Sequence, residues 1–189
     1  MQFAKDSFYL ALQQRLAALN PARTVTINGT TVPAIVVAEN LPAAAGEPQP
    51  NTFYVEWGSG NVLDGHAGNS ALMSLECAIS YYTLGTVASM VDRGRVLGQL
   101  DDELLGICQP PSTEKMDYTQ SPSADLGTSV FWSQPAFSEA VTSGVEDDTL
   151  NYSSGRGARK VLYTQAYQDG RVARRAQLTV FFFSEVTLL

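Results

Sequence analysis

Two carboxylates lead the residues whose types and spacing could do chemistry. Glu56 lies in Phe53-Tyr54-Val55-Glu56-Trp57, and Glu76 in the alternating run Leu72 to Thr83. Both belong to the polar faces of strands expected to be neighbours, and two carboxyl groups about 5–9 Å apart across a sheet could protonate and displace a glycosidic bond. No aromatic-rich sugar groove accompanies them, so solvated or interface acids are the preferred reading; a hydrolase using Glu56 and Glu76 is the alternative from another class. His66, the one histidine, stands beside Asp64 in a glycine-rich stretch with no nucleophile elbow to serve it. Cys77 and Cys108 lie in apolar surroundings and read as reduced, packed thiols; with one histidine they supply too few soft ligands for zinc. Gly94 and Gly98 lack the Gly-rich turn and Lys-Ser/Thr of a phosphate loop, so the pair reads as a place where another backbone comes close to a helix. No catalytic, cofactor-binding or metal-ligating residue is assigned.

The elements that would position these residues follow from periodicity. Phe8, Leu12, Leu16 and Leu19 recur at helical spacing, with Asp6 or Ser7 as N-cap and Asn20-Pro21 as the stop. Asn28-Gly29 between β-branched runs is a hairpin signal, and Pro33 puts its strand at an edge or bulge. Residues 53–57 alternate as a half-buried strand. Met73, Leu75, Cys77, Ile79 and Tyr81 alternate with Ser74, Glu76, Ala78, Ser80 and Tyr82, so 72–83 is a strand whose second face is wet or meets a partner. After Gly85 the period becomes 3.6, predicting one continuous helix over 86–107, ended by Pro110-Pro111, with Arg93 and Asp101 near the apolar side and in need of partners. Residues 109–128 read as a loop with Lys115, Asp117 and Tyr118 as polar anchors, followed by a short strand at 130–132. Residues 161–167 and 174–188 read as a second hairpin; in its last arm Leu178, Val180 and Phe182 point one way, Phe181 and Phe183 the other, so it is a central strand or meets another subunit. Flexible segments are expected near 41–51, 58–70 and 144–158. The predicted class is α+β, a single domain over 1–189 with a mainly antiparallel sheet and one N-terminal and one long central helix packed on it.

Charge narrows the partners. The 189-residue chain carries a net charge of −7, which argues against general nucleic-acid binding. Six of its twelve basic residues (Arg156, Arg159, Lys160, Arg171, Arg174, Arg175) fall between 156 and 175 against Asp169 alone, while Glu146, Asp147 and Asp148 precede them. Complementarity between copies is the favoured reading: Arg171, Arg174 and Arg175 against Asp147 and Asp148, with Phe181 and Phe183 as apolar contacts. The N-terminal stretch is broken by Gln13, Gln14 and Arg15 and does not read as a signal peptide, and no segment is long and apolar enough to span a membrane.

The order of elements, with "FYVEWG", "LMSLECAISYYTLG" leading into "VDRGRVLGQLDDELL", "PPSTEKMDYT" and a terminal "LTVFFFSEV", resembles the tail-terminator type of tail-assembly proteins in tailed bacteriophages and prophages. That resemblance implies a structural protein, not an enzyme, without cofactor. It implies a homo-oligomer, a hexameric ring that closes the tail tube and joins it to the head-proximal neck. Its partners would be the tail tube and head-completion proteins, with no sequence-specific nucleic acid and no membrane. Its place would be the host cytoplasm during assembly and then the virion tail. Another neck, tail-tube or contractile-injection component is the nearest alternative.

Overall fold

A computed structural model describes residues 1–41, 48–64, 70–85, 92–142 and 171–185. Helix α1 spans Gln2–Leu19 and buries Ala4, Ser7, Phe8, Ala11, Leu12 and Leu16, the stripe expected from the spacing; Leu19 faces solvent. It stops at Asn20, whose N–H returns to the Leu16 carbonyl at 2.8 Å before Pro21 ends the ladder. Its start differs from expectation. The helix begins four residues before Asp6, and Glu185 supplies the acceptor a local cap would: its carboxylate pairs with the Met1 amino group and accepts the Ala4 N–H at 3.4 Å. Ser7, free of a capping role, lies buried under the sheet. Its hydroxyl donates to the Phe3 carbonyl at 2.7 Å and accepts the Met116 N–H at 2.9 Å.

Strands β1 (Thr24–Ile27) and β2 (Thr30–Pro33) form the hairpin, with Asn28 at φ 51° and Gly29 at φ 79°. Those two positive angles are what a two-residue turn requires. Pro33 closes β2, and the chain passes into β3 (Ile35–Val37), which joins a different sheet in parallel with β4 (Phe53–Asp64). Residues 58–64, expected as loop, instead extend β4. Two glycines are accommodated because the pairing with β5 (Leu72–Thr83) shifts register between Trp57 and Gly60. The mixed sheet continues with β6 (Ser112–Asp117), β7 (Ala124–Trp132), β8 (Ala136–Phe137), β9 (Val141–Thr142) and β10 (Val172–Phe183). Its order is β3-β4-β5-β10-β7-β6, with β8 and β9 also alongside β10. β10 is thus central, one of the two positions its two-faced apolar pattern allowed.

Residues 109–128 are also not a loop. Ser112–Asp117 and Ala124–Trp132 pair as an antiparallel hairpin. Its polar composition hid it: Lys115 is buried only because its Nζ donates to the Phe183 carbonyl at 2.8 Å, and burial lowers its pKa. Asp117 accepts from Thr119 and Gln120 where β6 ends, which holds its carboxyl below the usual range.

Helix α2 (Asp92–Ile107) runs unbroken through Gly94 and Gly98 and buries Leu97, Leu100, Leu104 and Ile107. The expected first turn, 86–91, lies outside the described residues, as do the 161–167 arm and 144–158. The close-backbone reading of the glycine pair is corrected: a Cβ added at either position would meet nothing within 4 Å. Both helices pack on one sheet face, where α1 and α2 residues share a core with Val55, Leu75, Cys77, Ile79, Ala176, Leu178, Val180 and Phe182. This is an α+β fold. Cys77 and Cys108 are free and buried, and desolvation pushes the Cys108 thiol up to about 12. Among the described residues no helix is long and apolar enough to cross a membrane.

Candidate subunit-contact face

Period two along β5 and β10 fixes what the other sheet face carries. Because Leu75, Cys77, Ile79 and Tyr81 turn toward the helices, Ser74, Glu76, Ala78, Ser80 and Tyr82 turn away; on β10 the same rule presents Arg175, Gln177, Thr179, Phe181 and Phe183. No helix among the described residues covers this second face. One end of it is closed within the chain. Val25, Ala34, Val36 and Tyr54 form a small cluster under the β1–β2 hairpin, the Tyr82 hydroxyl donates to the Pro48 carbonyl, and the Arg171 guanidinium lies 4.8 Å over the Tyr82 ring. The β5 second face, expected to be wet or to meet a partner, is therefore mostly buried in its own chain, with Glu76 the exposed exception.

The opposite end is apolar. Phe131 stands in register with Phe181, Phe131 is 50% exposed, and Phe183 is 41% exposed. Between the two ends lies an open trough of about 1030 Å³, with Glu56, Gly58, Glu76, Ala78, Arg175, Gln177 and Thr179 along its floor and Ala38, Glu39, Ser133, Gln134 and Ala136 at its sides. Glu56 is opposite Ala78, which is opposite Gln177; Glu76 is opposite Thr179. The two carboxylates are thus diagonal neighbours on one floor. The Glu56 Oε2 forms an ion pair with Arg175 Nη2 at 3.2 Å, whereas Glu76 forms no ion pair among the described residues. Gly58 lets Glu76 lie flat on β4, since a Cβ there would sit 2.9 Å from the Glu76 Cβ.

The three arginines assigned to a subunit contact do not act together. Arg175 turns into the trough and pairs with Glu56, Arg171 lies on Tyr82, and Arg174 turns to the helix side, where its Nη1 donates to Asp101 Oδ2 at 2.8 Å. The other Asp101 oxygen accepts the Tyr81 hydroxyl at 2.5 Å, so the acid that needed a partner has two. Burial pushes the Asp101 carboxyl above its ordinary value, against the pull of Tyr81 and Arg174. Of the apolar pair, Phe183 is exposed and Phe181 partly covered. Asp147, Asp148 and His66 lie outside the described residues. Phe131 went unassigned in the sequence, although its place between the buried Val130 and Trp132 puts it on the outward side of an alternating strand. The bidentate Arg23–Glu103 pair, at 2.8 and 2.9 Å, was equally illegible, because 80 residues separate its members. No group of three or more His, Cys, Asp or Glu among the described residues is placed to hold a metal.

Among the described residues, the geometry is that of a class in which a layer of two helices covers one face of a mixed sheet and leaves the other partly open. No protein-family model and no curated protein matches the chain. A solved structure described as the virion of a native gene transfer agent particle contains a chain similar over 95% of this one and 94% of its own length, at 16% identity and a TM-score of 0.36. At that TM-score the backbones differ over much of their length, and the likeness decides no role.

Proposed function

We propose that the chain is a structural subunit of a phage-like particle, a tail terminator that assembles as a ring at the end of a tail tube. The observation that carries this reading is the half-covered sheet. Its open face ends in Phe131, Phe181 and Phe183, apolar surface that a monomer gains nothing by exposing and that a neighbouring subunit would remove from water. The resemblance in element order and sequence texture supports the finer assignment to a terminator. A hydrolase fits less well. Glu56 and Glu76 rise from the same floor rather than flanking a bond, and Glu56 is tied to Arg175.

The test is direct: purified chain is examined by light scattering over a concentration series and by electron microscopy with isolated tail tubes. Rings of uniform size that cap tube ends are expected. A chain that stays monomeric at millimolar concentration and leaves tube ends bare overturns the proposal. Another tail or neck component is indicated if the rings stack along tubes.

A further inference from the structure

We infer that the open sheet face binds the basic stretch 156–160 of a second copy, with Glu76 as its principal counter-charge and Phe131 and Phe181 receiving the apolar residues that follow. This rests on the reading of the chain as a self-assembling subunit and names the contact. The basic window holds six cations, but Arg171, Arg174 and Arg175 are engaged inside their own chain, on Tyr82, Asp101 and Glu56. Whatever positive charge the window offers another molecule comes from Arg156, Arg159 and Lys160.

The trough is the complementary surface. Among the described residues, Glu39, Glu56 and Glu76 line it against Arg175 alone. Glu39 is shared with Lys5 and Glu56 with Arg175, which leaves Glu76, exposed on the floor, to meet a cation from outside. The small residues Ser153, Ser154, Gly155, Gly157 and Ala158 around the basic ones let a chain lie close to a flat floor that itself carries Gly58 and Ala78.

Register supports the same occupant. Thr179 is opposite Glu76, and Phe181, in register with Phe131, stands two residues further along β10. In the incoming sequence Leu162 stands two residues beyond Lys160. An extended chain advances about 7 Å over two residues and neighbouring strands lie about 4.8 Å apart, so a chain crossing from β5 toward β10 sets Lys160 on Glu76 and Leu162 on Phe181, with Phe131 one strand further for the residue after it. Exposed ion pairs contribute little individually, so the charges set register and the apolar step supplies adhesion.

The experiment uses full-length chain in two charge-reversed forms, Glu76→Lys and the double variant Arg159→Glu/Lys160→Glu. Folding is checked by thermal melting. Each form alone is expected to associate about tenfold more weakly than the parent, and the parent itself to weaken as salt rises. Mixed together, the two forms are expected to regain the parent's assembly. The acidic stretch of one form then meets the new cation at position 76 of the other, whose own basic stretch meets an unaltered Glu76. If both forms assemble like the parent, the inference falls and the assembly reading stands. If the triple variant carrying all three changes in one chain recovers but the mixture does not, the contact is within a chain and the inference falls. If the parent never associates, both fall.

Discussion

Loss of Asp101 would leave two donors on different strands, Tyr81 and Arg174, without their acceptor. Its carboxylate ties α2 to two strands at once, accepting the Tyr81 hydroxyl at 2.5 Å and Arg174 Nη1 at 2.8 Å, with side-chain exposures of 17% for Asp101 and 25% for Arg174. Replacement by Ala strips both donors of their acceptor. A hydrogen bond to a charged group contributes about 1.5–3 kcal/mol, and a half-buried ion pair falls between a surface pair of about 1 kcal/mol or less and a broken buried pair of about 3–5 kcal/mol. Partial exposure of the guanidinium lowers the sum, so Asp101→Ala is expected to cost about 2–4 kcal/mol. At about 2–4 °C per kcal/mol for a chain of this size, Tm should fall by about 5–15 °C. Denaturant unfolding of Asp101→Ala, Arg174→Met and their double variant gives the coupling, expected at about 1–2 kcal/mol. The pH dependence has a definite sign. Burial raises the Asp101 carboxyl in the folded chain, so the folded state binds that proton more tightly than the unfolded state. The stability linked to that proton, as distinct from the ion pair itself, is therefore fully present below the unfolded value and is lost as pH rises through the folded one. The stability gap between parent and Asp101→Ala should be wider near the bottom of that window than at neutral pH. A cost under about 0.5 kcal/mol, no coupling to Arg174, or a gap that widens with rising pH would refute the reasoning.

Leu104 of α2 is fully buried against the sheet, so Leu104→Ala should cost about 2–5 kcal/mol in denaturant unfolding. Gly94→Ala and Gly98→Ala point into open space inside a helix and should each raise stability by about 0.5–1 kcal/mol, read as a higher Tm. Gly58→Ala would press a Cβ to 2.9 Å from the Glu76 Cβ; a cost of about 1–3 kcal/mol is expected from the crowding, and because a Cβ remains in Glu76→Ala, only Glu76→Gly should relieve it.

Much of the scaffold was legible in the sequence because local geometry alone dictates it. Asn28-Gly29 tolerates positive φ at both positions and made the hairpin; Phe8, Leu12 and Leu16 repeat at the helical period and made α1; strict alternation from Met73 to Tyr82 made β5 and said which side of it was core. The same logic gave α2 its apolar stripe despite two glycines, and Phe181 beside Phe182 announced a strand with both faces apolar. Where a polar or glycine-rich segment takes its structure from distant neighbours, local pattern could not reveal it. Residues 58–64 are strand because β5 offers them a ladder that absorbs a bulge, and 112–117 are strand because they pair with 124–132, with Phe183 and Ser7 satisfying Lys115 and Met116. Charges behaved in the same way. The sequence grouped Arg171, Arg174 and Arg175 by proximity, but alternation along β10 sends Arg174 to Asp101 and Arg175 to Glu56 on opposite faces. Sequence by itself determined which residues could be helix, turn or alternating strand, since those depend on backbone sterics and period. Only the tertiary structure decided which charges are already satisfied and which face remains open, because a partner distant in the chain, as Asp101 is from Arg174, is brought within hydrogen-bonding distance by sheet order and register alone.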